Sequence, residues 1–148
     1  MAIGKKSKNQ TAKVRQSVFE RDGMRCIAAG VFGFCGGDLT LQHRAVRGMG
    51  GSAQLDGFEN LVTMCQIHNE LDQASSDFHR LCLKLGWSMP RWVAEQGLSD
   101  VLPVWYPNRG WFQLDADGSL IMISQRQAKT VFVAVYGPQW VPDPESGE

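Results

Sequence analysis

The sequence predicts an α+β fold: a strand, loop, strand and helix forming a ββα unit, preceded by one helix and followed by a small β-rich extension. Three observations predict it. Leu39-Thr40-Leu41-Gln42-His43 alternates as a half-buried strand does, and Asn60-Leu61-Val62-Thr63-Met64-Cys65 reads as a second short strand. From about His68 the pattern turns helical. Cysteine and histidine bracket both strands, with Cys26 and Cys35 before the first and Cys65 and His68 after the second.

A chain of 148 residues, 43% hydrophobic, can bury one core and carry a small appendage. Two regions are expected, 1–97 around the ββα unit and 98–148 as the extension. The formal net charge is zero, but residues 1–50 hold nine Lys and Arg against three Asp and Glu, a net +6, and the remainder balances it at −6. A basic half suits a phosphate-rich partner; the plainer reading is a solvated arm. No signal-peptide pattern opens the chain and no apolar run reaches the length of a membrane span, so no membrane association and a reducing, cytoplasmic setting are expected. Disulfides are not expected there.

Lys5-Lys6-Ser7-Lys8-Asn9-Gln10 is a polar, basic segment near the start of the chain. Thr11 can cap a helix over about 12–21, with Val14, Val18 and Phe19 inward, Lys13 and Arg15 outward, and Asp22-Gly23 as its end. Lys13 and Arg15 are candidate phosphate contacts. After the ββα unit an amphipathic helix is expected to run from Leu71 to Gly86, with Phe78, Leu81, Cys82 and Leu85 inward and His79 at the surface. Pro90 can start a short helix through about Gln96. Trp87 and Trp92 read as core residues more readily than as base-stacking ones.

In the extension, Pro103–Pro107 looks extended, and Asp115-Ala116-Asp117-Gly118 joins Trp111–Leu114 to Ser119–Ile123 as a hairpin. Thr130-Val131-Phe132-Val133-Ala134-Val135-Tyr136 reads as a third strand. The acidic tail from Pro142 has the composition of a disordered segment.

A structural zinc needs four sulfur or imidazole ligands in a tetrahedron, usually as two close pairs. Cys65 and His68, in C-x2-H spacing, form one pair; Cys26 and Cys35 form the other, across a longer gap than usual. Buried, inert cysteines are the competing reading, and it is the preferred one for Cys82.

Taken together, the residues of the segment Arg25–Leu71 resemble HNH endonucleases of the ββα-metal superfamily. Gln42-His43-Arg44 and Arg47-Gly48-Met49-Gly50-Gly51 look like the phage-encoded branch. The resemblance covers roughly residues 12–92. It implies a zinc-knuckle nuclease core that hydrolyses DNA phosphodiester bonds, with His43 as general base and Asn60 as the central asparagine that orients it. It places Asn69 at the last ligand position for a catalytic divalent ion, Mg²⁺ or Mn²⁺. Gln42 stands where the other ligand is usually histidine or aspartate, and His68 replaces a common cysteine in the zinc set. The phage branch further implies genome packaging, with terminase as a partner and the host-cell cytoplasm as the setting.

The chemistry stands beside the resemblance. An imidazole near its ordinary pKa can take a proton from water at neutral pH, and Arg44 and Arg47 flank His43 as bidentate phosphate donors. In another register His68 serves the catalytic ion and the knuckle loses its fourth ligand. Asp38 and Asp56 are near enough in sequence to be substitute ligands, though each reads more simply as a turn residue. Two further readings remain: a zinc-stapled DNA-binding module without catalysis, and an adaptor whose C-terminal strands hold a protein partner.

Overall fold

The computed structural model describes residues 8–46 and 53–140. Helix α1 (Lys8–Arg21) is followed by a loop and strand β1 (Leu39–His43). A 3-10 turn, Phe58–Asn60, leads into β2 (Leu61–Cys65), which passes directly into α2 (Gln66–Ala74). Helices α3 (Ser76–Leu85) and α4 (Arg91–Glu95) come next, then strands β3 (Val104–Tyr106), β4 (Gly110–Leu114) and β5 (Leu120–Ile123), and helix α5 (Gln125–Tyr136). The chain is therefore a mixed α/β protein with two small antiparallel sheets, β1-β2 and β3-β4-β5.

The β1-β2 register pairs Leu39 with Cys65 and His43 with Leu61. Every residue of β2 is buried, so this strand lies at the centre and β1 covers it. Gly37, at φ +77°, brings the chain so close to α2 that a Cβ would lie 2.7 Å from Gln66 Cβ. This approach lets the Asp38 and Gly36 carbonyls accept from Gln66 and Ile67 N–H at 2.9 and 3.1 Å, satisfying the exposed amides at the start of α2.

Three expectations are corrected. Thr11 lies inside α1, which begins at Lys8, and so does not cap it. The helix expected over 71–86 is broken at Ser75, whose hydroxyl accepts from Phe78 N–H and caps α3. Residues 130–136 are helical, not a strand: Ser124 and Gln127 form a capping box at the start of α5, and Ala128 and Phe132, one helical turn apart, are buried. The extended segment and hairpin are found as β3, β4 and β5.

One hydrophobic core runs from Ile27, Val62 and Met64 through Phe78, Leu85 and Trp87 to Leu102, Trp111, Leu114 and Phe132. The expected 97/98 boundary passes through that core. Polar ties cross it as well. Tyr106 Oη donates to Asp22 Oδ1 at 2.6 Å, and Trp87 Nε1 donates to the Trp105 carbonyl at 2.7 Å. Trp87 is fully buried, whereas Trp92 is 41% exposed.

Candidate metal centre and active site

Cys26, Cys35, Cys65 and His68 come together with their ligand atoms all within 4.8 Å of one another. His68 Nδ1 lies 3.1 Å from Cys65 Sγ, 3.5 Å from Cys26 Sγ and 3.7 Å from Cys35 Sγ. Metal–sulfur and metal–nitrogen bonds of about 2.3 and 2.0–2.1 Å in a tetrahedron separate N from S by about 3.6 Å, so the four atoms fit one ion. The His68 tautomer agrees with ligation. Its Nε2 meets the Phe32 carbonyl, which takes the ring proton and leaves the Nδ1 lone pair facing the three sulfurs. The group can therefore hold a metal such as zinc.

Without an ion the thiols differ. Burial pushes Cys26 up to about 12. Burial acts the same way on Cys65, but backbone N–H groups of His68 and Gly36 and the His68 ring favour its thiolate, and the balance falls at about 7. Ion binding thus has one thiolate available near neutrality and must displace protons from the rest.

Beyond this staple, β1 alternates, and the alternation divides the expected catalytic residues between its two faces. His43 is partly exposed, and its Nε2 lies 3.0 Å from Asp56 Oδ1, with side-chain exposures of 28% and 26%. With the proton held on Nε2 by the carboxylate, Nδ1 is the basic nitrogen. Asn60 is buried immediately beside this pair. Its Oδ1 accepts from Ala45 N–H at 2.8 Å, and its Nδ2 donates to the Ala45 and Leu55 carbonyls at 3.1 and 2.8 Å. Asn60 therefore ties the chain just after His43 to the segment just before Asp56.

Gln42 faces the other way. It is buried, and its Nε2 donates to Asp72 Oδ2 at 2.7 Å and Ser88 Oγ at 3.1 Å. Asn69 Nδ2 donates to Thr40 Oγ1 at 2.7 Å and the Leu41 carbonyl at 3.2 Å. The pair expected to ligate a catalytic ion is thus committed to internal hydrogen bonds, each holding α2 against β1. Gln42, buried on the face of β1 opposite His43, is not placed to share an ion beside it.

Arg44 is a second correction. It is 1% exposed, with Nε on the Gly86 carbonyl at 2.7 Å, Nη1 on those of Glu59 and Ser99 at 2.7 and 2.8 Å, and Nη2 on that of Leu102 at 2.8 Å. Burial lowers its pKa to about 10. It is an internal staple: four of its five N–H donors meet backbone carbonyls, and its burial closes it to a phosphate. Lys13 and Arg15 are exposed on α1, as expected of surface contacts. Arg47 and the Gly48–Gly51 loop lie outside the described residues.

The partners of two carboxylates are not readable from the sequence. Asp56 read as a turn residue, and Asp72 carried no signal; Asp72 accepts from Gln42, from Ser88 Oγ at 2.7 Å and from His79 Nδ1 at 2.8 Å. His79 stands four residues after Ser75 in α3, a spacing that reads only as helix surface. No helix among the described residues is long and apolar enough to cross a membrane. No family model, curated protein or solved structure matches this chain.

Proposed function

We propose that this chain is an endonuclease of the HNH type that hydrolyses DNA phosphodiester bonds, with His43 as general base and zinc in the Cys26, Cys35, Cys65 and His68 site. The observation that carries the reading is the His43–Asp56 pair at the open end of β1, clamped by buried Asn60 on a hairpin that the metal site fastens to α2. A base must be oriented, basic near neutrality and reachable. Asp56 orients the ring, the free Nδ1 accepts the proton of an attacking water, and partial exposure leaves room for a phosphate. The order of elements, strand, loop, strand and helix around a knuckle, agrees with the family that the sequence resembles.

DNA is the partner that the basic first 50 residues favour, with Lys13 and Arg15 as backbone contacts. Service in phage genome packaging beside a terminase follows from the resemblance alone. The reading is tested by incubating supercoiled plasmid with the zinc-loaded protein and Mg²⁺ or Mn²⁺. Nicked or linear product is expected from the wild type and not from His43→Ala.

One observation favours a second reading. Because Gln42 and Asn69 are engaged internally, a DNA-binding module without catalysis is the alternative. Equal DNA binding by wild type and His43→Ala, with neither cutting, would select it.

A further inference from the structure

Three features stand outside the proposed site. Exposed Phe34 and Ile67 form an apolar edge beside the knuckle, but nothing indicates what covers it. Arg25 and Arg109 line a cavity of about 30 Å³ next to Cys26, too small to seat a phosphate group. The third feature goes further.

Asp72 and His79 meet at the foot of an open groove of about 460 Å³ lined also by Val46, Gln73, Ala74, Ser75 and Ser76. Asp72 is 7% exposed, and its two oxygens are used differently. Oδ2 receives both Gln42 Nε2 and Ser88 Oγ at 2.7 Å, which fixes the plane of the carboxylate. Oδ1 lies 2.8 Å from His79 Nδ1. Two ligands in adjacent positions of an octahedral ion, at bonds of about 2.1 Å, stand about 3.0 Å apart. Oδ1 and Nδ1 already have nearly that spacing, on a ring half open to the groove.

We propose that Asp72 Oδ1 and His79 Nδ1 bind one divalent cation at the groove, with Gln42 and Ser88 acting on it only through Asp72. Binding shifts the neutral ring to the tautomer with its proton on Nε2 and leaves the ion's remaining positions to water and an incoming anionic oxygen. A mixed carboxylate and imidazole pair suits Mn²⁺ better than Ca²⁺. Cys82, close by in the core, is not a ligand: burial, and then the Asp72 charge, push its thiol up, and it stays protonated. The pair stands as a cation site on the face of β1 opposite His43, whether or not the nuclease reading holds. It gives Gln42 a part in ion binding that direct ligation does not allow.

The test is Mn²⁺ titrated into the zinc-loaded full chain, read by electron paramagnetic resonance of free Mn²⁺ and by broadening of histidine ring signals, with three histidines to resolve. One site is expected, broadening the His79 ring, and weakened at least tenfold in Asp72→Asn and in His79→Ala. His79 lies on the surface of α3, so its alanine variant retains the fold even if the Asp72 variant does not. Wild-type Mn²⁺ affinity in His79→Ala, or loss in Asn69→Ala with none in His79→Ala, overturns the proposal. Plasmid cleavage alongside His79-independent Mn²⁺ binding would sink this site and leave the nuclease reading standing; His79-dependent binding without cleavage would do the reverse.

Discussion

The two faces of β1 make opposite use of neighbouring residues. On one, His43 pairs with Asp56 and remains open to solvent; on the other, Gln42 is sealed against Asp72 and Ser88. They are adjacent in sequence, yet a strand sends successive side chains to opposite sides. A short motif read along the chain therefore joins groups that the fold separates. One face is equipped for chemistry and the other binds α2 to the hairpin, and each can be attacked alone.

Removing the metal should abolish the distinction by loosening both faces at once. A structural zinc in a small domain contributes roughly 10 kcal/mol or more to folding at neutral pH. Cys65→Ala, or a strong chelator, is expected to remove the cooperative thermal transition; a chelated protein that melts as before would show that the hairpin holds without the ion. Acid should act in the same direction. The Cys65 pKa in the folded, metal-free chain is below its ordinary 9.0, so the stability it brings is complete above that value and is lost as pH falls through about 7. Because protons compete with the ion for the thiolates, zinc release followed by a chromogenic chelator should rise as pH falls.

The next largest effect belongs to Arg44, beside His43 in sequence but on the structural side of the account. Replacing it with alanine strips four carbonyls, three of them in buried contacts, of their donor. Each orphaned acceptor costs about 1–3 kcal/mol, and a loss of roughly 3 kcal/mol or more in denaturant unfolding is expected. A phosphate-binding Arg44 would instead leave stability alone and weaken DNA binding. Gln42→Ala should cost less, about 1–3 kcal/mol, because Asp72 keeps Ser88 and His79. If that variant unfolds like the wild type, the sealed face is not the strut described here. Smallest of all, Lys13→Ala and Arg15→Ala should leave melting unchanged and each lower the slope of log affinity for duplex DNA against log salt by about one.

Much of this was legible locally. The alternation from Leu39 to His43 and the hairpin around Asp115–Gly118 depend on period and turn chemistry, and both elements are found. The Cys and His spacing was readable because only a few geometries let four such ligands converge. Arg44 was not legible. Its acceptors at Ser99 and Leu102 lie more than fifty residues downstream, and an arginine in a polar stretch gives no sign that distant carbonyls will enclose it. For α5 a signal existed: the Ser124-x-x-Gln127 cap announces a helix, but the β-branched run after it suggested a strand. Asp72 was hidden because a lone carboxylate on a helix reads as surface unless its partners, here from β1, α3 and the segment at Ser88, are known.

The central claim is that the open face carries the chemistry, and His43→Ala in the plasmid assay tests it most directly. With zinc content and melting within about 1 kcal/mol of wild type, the variant should cut about 10²–10⁴-fold more slowly, the contribution expected of a positioned general base. A folded, zinc-loaded His43→Ala protein that cuts DNA at the wild-type rate would contradict the account.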